Sequence, residues 1–288
     1  MLSTIKQLQI LQKLSPICPK KFSSSSVSLG DGVTKVSFKD GVRTITLSGP
    51  SRNALSLKMM RELTNNIIED ENNVALRVIV LKAEGPLFSA GHNLKELTSD
   101  TDKETHRAVF KEASKLMMSI LQSPVPVIAS VHGLAAAAGC QLVAGCDIAI
   151  CSEKAFFSTP GAQVGIFCST PGVALVRTIP AKVAADMLFT GDSISAHQAL
   201  QYGLVSRVVS EDKLDEEVSK VTTSIISKSR AVISLGKKFL YSQIQKDVYS
   251  AYRLGENVMT SNISMADAQE GISSFLQKKK PVWKHTSD

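Results

Sequence analysis

The sequence predicts an α/β fold for a chain of 288 residues. Three observations predict it. Short apolar runs, Val78-Ile79-Val80-Leu81 and Val125-Pro126-Val127-Ile128-Ala129, are continuous rather than alternating and so read as buried strands. Longer segments between them place apolar residues at helical spacing. The last third has the helical pattern only, so strands and helices alternate early and helices follow alone. With 43% hydrophobic residues the chain can bury a large core, and its length suits one or two domains.

Met1 to about Ser28 is basic and free of acids, and rich in serine over Ser23 to Ser26. Ile5, Leu8, Leu11 and Leu14 make a narrow helical stripe with Lys6 and Lys13 off it, the pattern of a mitochondrial transit peptide, here built with Lys and no Arg. Val33–Phe38 and Val42–Leu47 are β-rich runs joined through Asp40-Gly41, a hairpin signal. Leu55 to Asp70 reads as a helix with Leu57, Met60, Leu63 and Ile67 on one face, and Arg77 to Leu81 as a strand. Ser99 to Glu104 is a polar loop. Thr105 to Leu121 is a second amphipathic helix. Ala136 to Ala144 is apolar nearly all round, hence a buried helix. Ile148–Ile150 is a strand, and Phe156-Phe157 begins another that Thr159-Pro160-Gly161 ends. Gly165 to Gly172 reads as a loop in which Pro171 marks a possible helix start. Val183–Phe189, Ala196–Gln201, Leu214–Ile226, Ala231–Gln245, Tyr249–Ser261 and Met265–Gln277 read as helices, the last ending before Pro281. No internal repeat is visible in the letters.

The net charge is +7, but the first 30 residues contribute four lysines and no acid, leaving +3 for the rest. So mild a balance does not point to nucleic acid, and the dense run Lys278-Lys279-Lys280 reads as a solvated face. The longest apolar stretch, Pro124 to Ala138, is interrupted by prolines and His132, so no membrane span is expected. Cys18, Cys140, Cys146, Cys151 and Cys168 show no CxxC spacing, which argues against a metal site or a disulfide framework.

Two stretches of small residues organise the chain. Phe88-Ser89-Ala90-Gly91-His92-Asn93-Leu94 follows one buried strand, and His132 to Gln141 follows another. Each opens into a helical pattern, so each turn lets a ligand come close to the backbone and points free N–H groups at it. Two such turns side by side are able to hold one developing negative oxygen.

These turns, with Arg52-Asn53-Ala54-Leu55, Cys146-Asp147-Ile148-Ala149, Phe189-Thr190-Gly191-Asp192 and Gly203-Leu204-Val205-Ser206-Arg207-Val208-Val209, resemble the crotonase (enoyl-CoA hydratase/isomerase) superfamily from about Val36 to Trp283. The resemblance implies a spiral of repeated β-β-α units over residues 29–212. It also implies a helical region over 213–288 that builds a homotrimer, commonly doubled to a hexamer. It implies an acyl-CoA thioester as substrate, with coenzyme A belonging to that substrate and no separate cofactor or metal, and a place in fatty-acid metabolism of the mitochondrial matrix. The oxyanion-hole donors fall on the N–H groups of His92 and Ala138. Ala90, Gly91, Asn93 and Lys95 fall where the family contacts the adenine and pantetheine, and Phe275 and Lys278 where its C-terminal region touches CoA. Ala138 stands where most relatives have Gly, so a φ above zero there would be costly.

The family's hydratases hold and activate water with two glutamates, whose positions here are Gln141 and Gly161. Gln141 has no titratable proton and Gly161 has no side chain. Each acid–base group is worth about 10²–10⁴-fold in rate, so conventional hydratase activity is not expected; nor is isomerase activity, which keeps the second carboxylate. Asp147 reads as a structural acid, Asp192 as a helix cap near Ser193 and Ser195, and Glu96 as an acid favouring a helix start. Gly91-His92 resembles the methylmalonyl-CoA decarboxylase branch, whose reaction makes an enolate without a base. That branch places a tyrosine near the leaving carboxylate, and none lies between Cys151 and Pro180. Three readings stay open: specialised acyl-CoA chemistry without the acid pair, decarboxylation of a malonyl-type thioester, and non-catalytic acyl-CoA binding.

Overall fold

A computed structural model describes residues 32–286. The expected transit peptide at 1–28 lies outside them. Strands β1 (Thr34–Lys39) and β2 (Val42–Leu47) form the hairpin, turned at Asp40 and Gly41, both at positive φ. Helix α1 (Leu57–Ile68) is capped by Ser56 and buries Met59, Met60, Leu63 and Ile67. Strand β3 (Val78–Ala83) follows, and then α2 (Lys103–Gln122), which starts two residues earlier than its periodicity suggests because Asp102 accepts the N–H of Thr105.

The middle of the chain alternates strand pairs with helices. Strands β4 (Val127–Val131) and β5 (Leu134–Ala136) precede α3 (Ala138–Gly145), and β6 (Ile148–Ser152) and β7 (Phe156–Ser158) precede α4 (Ser169–Thr178). Two expectations are corrected here. The Ala-rich turn contains a strand, and its helix begins at Ala138 rather than Ala136, because Ala136 and Ala137 spend their N–H groups on Ser89 O and Ser158 O. The stretch 165–172 is a loop only to Cys168; the helix already runs at Ser169, with Pro171 in its first turn, where a missing N–H costs nothing.

Then come α5 (Ala181–Thr190), β8 (Ile194–Ser195), α6 (Ala196–Tyr202), β9 (Arg207–Val209), α7 (Leu214–Ile226), α8 (Arg230–Gln243), α9 (Val248–Ile263) and α10 (Ala266–Leu276). A six-stranded sheet runs β1-β2-β3-β4-β6-β9, parallel except for the β1/β2 pair, and β5-β7-β8 forms a second, small sheet. Parallel pairing buries both faces. In β3, Ile79 and Leu81 face the main core while Val78 and Val80 face a separate cluster with Leu214, Val218 and Val221 of α7. The β-β-α unit recurs as β1-β2-α1, β4-β5-α3 and β6-β7-α4. Between them β3 and α2 make a reduced copy, whose second strand has shrunk to the single bridge Ser89↔Ala135. That bridge lays the first small-residue turn alongside the second.

A buried ionic clamp ties the helical C-terminal region to the sheet. Lys237 Nζ of α8 donates to Asp147 Oδ2 (2.7 Å), Ile120 O (2.8 Å) and Val125 O (3.0 Å), and Tyr241 donates to Asp147 Oδ1 (2.7 Å). Burial pulls the lysine's pKa down while Asp147 pushes it up. Asp147 is therefore the structural acid its sequence context suggests.

Candidate functional site

The first turn is held from both sides. Phe88 N–H and Ser89 N–H donate to Leu134 O, and Ser89 O accepts from Ala136 N–H (2.9 Å). On the other side Ala90 N–H donates to Arg52 O (3.1 Å), Leu55 N–H to Gly91 O (2.7 Å) and Ser89 Oγ to Asn53 O (2.8 Å). Buried Asn53 anchors this support: its amide donates to Glu84 O and Leu87 O, and Gly49 N–H donates to its Oδ1. The Arg52-Asn53-Ala54-Leu55 motif is thus a brace for the turn. Its cost is visible in the backbone, since Arg52 and Asn53 both adopt positive φ (53° and 52°).

The second turn meets the first at glycine. Gly91 has φ +88°, and a Cβ there would lie 2.9 Å from Ala136 O and 3.3 Å from Ala138 N. Gly139 packs on Ser89 so closely that a Cβ would lie 2.8 Å from its Cβ and O. The backbone strain expected at Ala138 sits instead at Ala137, which has φ 48° and ψ −115°. Ala138 itself is the first residue of α3, and Ala137 offers no side-chain cap, so the Ala138 N–H is one of the helix's open donors. Among the described residues, neither the His92 N–H nor the Ala138 N–H meets a backbone acceptor.

The first turn opens into a single 3₁₀ turn, Leu94–Glu96, rather than a long helix. Asn93 Oδ1 caps it by accepting from Lys95 N–H (3.3 Å), and Lys95 is exposed. Ala90 is exposed and Gly91 buried. Glu96 caps α1, not its own turn: Leu57 N–H donates to its Oε2 (3.0 Å). Asp192 caps no helix; α6 is capped by Ser195 in a box with Gln198, which corrects the expectation for 192.

The two glutamate positions differ in kind. Gln141, one turn into α3 from Ala138, is only 5% exposed, and its Oε1 has no hydrogen-bond partner. At Gly161 the space for a side chain is closed. A Cβ there would stand 2.1 Å from Ile166 O and 2.6 Å from Cys168 Sγ, because the Pro160–Val164 turn folds back through Ile166 N–H donating to Gly161 O (2.9 Å). Burial pushes the neighbouring thiols up, Cys140 to about 12, so neither Cys140 nor Cys168 is a ready nucleophile.

His92 is more than a backbone donor. Its Nδ1 lies 3.4 Å from Leu55 O, and its ring meets Phe110 edge to face at 5.6 Å. Its Nε2 is buried without a partner. Desolvation lowers the ring's pKa from 6.5, only partly offset by Leu55 O and Glu96. The imidazole is therefore neutral at pH 7. Nothing in the letters flagged this, since the signal is burial by Phe110, 18 residues on.

Phe275 and Lys278 are not brought to the turns. Phe275, at the end of α10, is 83% exposed, Lys278 follows at positive φ, and neither side chain hydrogen-bonds to a residue of either turn. Helix α10 packs on α8 and α9. Among the described residues no group of three or more His, Cys, Asp or Glu is placed to hold a metal ion, and no helix is long and apolar enough to cross a membrane.

A sequence model described as enoyl-CoA hydratase/isomerase matches residues 37–286. The chain is 55% identical over 247 residues to the human protein named enoyl-CoA hydratase domain-containing protein 3, mitochondrial, covering 85% of this chain and 82% of that one. The crystal structure of human enoyl coenzyme A hydratase domain-containing protein 3 superposes with a TM-score of 0.86 at 53% identity, over 87% of this chain and all of that one. An enoyl-CoA hydratase structure from Mycobacterium smegmatis superposes with a TM-score of 0.85 at 41% identity, over 89% of this chain and 100% of the other.

Proposed function

This chain belongs to the enoyl-CoA hydratase/isomerase family, and from that premise we propose that it is a mitochondrial acyl-CoA thioester protein of lipid metabolism that is not a conventional hydratase. The observation that carries the proposal is the pairing of two open amides, His92 and Ala138, with a second acid position that is sterically shut at Gly161. The thioester oxygen accepts from both amides, and each such donor stabilises a developing enolate by about 3 kcal/mol. Ala90, Gly91, Asn93 and Lys95 flank the thioester arm on the first turn.

Proton handling is what the site lacks. Gln141 donates or accepts hydrogen bonds but carries no proton to transfer, and no side chain stands at 161. Either enolate chemistry that needs no carboxylate pair or binding alone remains. A malonyl-type decarboxylation is less well supported, because the buried, uncharged His92 offers no positive charge to a second carboxylate. The mitochondrial reading rests on the basic, acid-free start of the chain and on the name of the human relative. A homotrimer or homohexamer accounts for the apolar side chains exposed on α9 and α10, among them Val248, Tyr249, Tyr252, Phe275 and Leu276. In such an assembly Phe275 and Lys278 reach the CoA of a site they do not touch within one chain.

Calorimetric titration with free CoA and butyryl-CoA, alongside turnover of crotonyl-CoA, 3-enoyl-CoA and methylmalonyl-CoA, tests the proposal. Binding of the ester in preference to free CoA, with crotonyl-CoA hydration suppressed by about 10⁴-fold or more against a two-glutamate relative, is expected. Hydration at the relative's rate, or no preference for the ester, overturns it.

A further inference from the structure

Past α10 the chain doubles back, and residues 282–285 are bound to three separate elements. Val282 N–H donates to Glu270 Oε1 of α10 (3.1 Å), and Trp283 Nε1–H to Ser227 O in the α7–α8 turn (2.8 Å). The Lys284 and His285 N–H groups donate to the two oxygens of Asp267 (2.7 and 2.9 Å), a buried acid in the first turn of α10. The Trp283 ring lies on α10 at Gly271, where a Cβ would stand 3.2 Å from it. His285 adopts positive φ (65°) and sets its Nε2 2.9 Å from Nη1 of Arg77, the residue before β3.

The Arg77–His285 bond has one possible chemistry. A guanidinium donates and never accepts, so Nε2 is a lone pair and the ring is neutral. Arg77 cannot turn aside. It is buried, and its Nη2 donates to Ile226 O (3.0 Å) and Lys228 O at the end of α7, where the helix dipole favours a cation. The other ring nitrogen, Nδ1, also faces a donor, the Arg230 N–H at 3.4 Å. Three charged groups surround the ring: Arg77 before β3, Arg230 on α8 and Asp267 on α10. Burial and Arg77 disfavour an imidazolium, Asp267 favours it and Arg230 disfavours it again, which leaves the ring's pKa below 6.5. Burial raises the pKa of Asp267, but the Ser229 hydroxyl and the Lys284 and His285 N–H groups outweigh it and hold the acid below its ordinary value. Asp267 is therefore charged throughout the range in which His285 titrates.

We propose that residues 282–285 form an acid-released latch: a proton on His285 removes the lone pair that Arg77 bonds, and the segment comes away from the α7–α8 turn. Helix α10 then loses its tie to β3 and α7 while keeping its packing on α8 and α9. The latched form excludes the proton and the released form accepts it at the ordinary histidine value. Release is therefore favoured by up to about tenfold per pH unit below about 6.5, until the latched ring itself titrates. Above that pH the latch stays shut.

Trp283 is the only tryptophan of the chain, so its fluorescence reads the latch directly. On the purified full chain its emission is expected to move to longer wavelength, and its quenching by acrylamide to rise, as pH falls from about 7.5 to about 5, with far-UV circular dichroism unchanged. His285→Gln keeps an acceptor for Arg77 but takes up no proton, and is expected to hold the emission constant over that range. Asp267→Asn weakens the grip on both N–H groups and is expected to shift the emission already at the upper pH. Hydrogen exchange, corrected for its intrinsic pH dependence, needs no variant: the Lys284 and His285 amides are expected to lose protection at the lower pH while those of β3 keep theirs. An emission that does not respond to pH overturns the proposal, as does an equal response in His285→Gln. A loss of circular dichroism in step with the emission also overturns it, since that is global unfolding. Should His285→Gln fail to fold, exchange on the unaltered protein decides, and protection retained at residues 284 and 285 overturns the latch.

Discussion

Placing a carboxylate at position 161 should fail, and the structure says by how much. Gly161→Ala places a methyl 2.1 Å from Ile166 O, where ordinary contact begins at 3.4 Å, and 2.6 Å from Cys168 Sγ. The overlaps are about 1.3 Å and 0.8 Å. The carbonyl cannot simply retreat, because the same residue's N–H is bonded to Gly161 O at 2.9 Å. Overpacking of this kind costs about 1–3 kcal/mol, and opening the turn forfeits a hydrogen bond worth about 1 kcal/mol more. A total of about 2–4 kcal/mol lowers Tm by about 5–15 °C for a chain of this size. Differential scanning fluorimetry with urea titration measures it. Gly161→Glu should melt at least as low as Gly161→Ala, and adding Gln141→Glu should not bring crotonyl-CoA hydration to the rate of a two-glutamate relative. A Gly161→Glu protein melting within about 1 °C of the parent, with hydration appearing in the double variant, would refute the claim that the turn has closed over this position.

Three further outcomes follow from the same geometry. Lys237→Met should cost about 3–5 kcal/mol in urea unfolding by leaving Asp147 buried without its cation, and Asp147→Asn added to it should recover part of that loss. Ala137→Gly should stabilise the protein by about 1 kcal/mol in the same assay, because the strain of φ 48°, ψ −115° exceeds the entropy glycine adds to the unfolded chain. Burial depresses His92 below its unfolded value of 6.5, so the unfolded chain binds more protons just below that pH. Stability should therefore hold above about pH 6.5 and fall as pH drops below it, until the folded-state pKa is passed. His285 is depressed in the same direction, so His92→Phe should shrink the slope between pH 5 and 6.5 without abolishing it; an unchanged slope would show that His92 is not the buried neutral ring described.

The α/β class, the order of the early strands and the run of helices from Leu214 on follow from local patterns; the short strands Ile194–Ser195 and Arg207–Val209 do not. A run such as Val78 to Leu81 is apolar at every position because both of its faces are covered, and that is readable without a fold. So is the absence of a carboxylate at Gln141 and Gly161, because residue identity is a property of the letters. Other features needed the tertiary structure because each depends on residues far apart in the chain. Leu134–Ala136 is a strand only because Phe156–Ser158 and Ser89 arrive beside it; three small residues carry no β signal of their own. The strain falls on Ala137 rather than Ala138 because Ser158 O captures the Ala137 N–H before α3 begins. Whether Gly161 is an empty place or a filled one turns on Ile166 and Cys168, and whether His92 is a solvated cation or a neutral acceptor turns on Phe110 and Leu55. Sequence by itself determined which residue types stand in the two small-residue turns and at positions 141 and 161. Only the folded chain decided which of them are desolvated, strained or left without a partner, since those are energies of proximity and no local pattern encodes them.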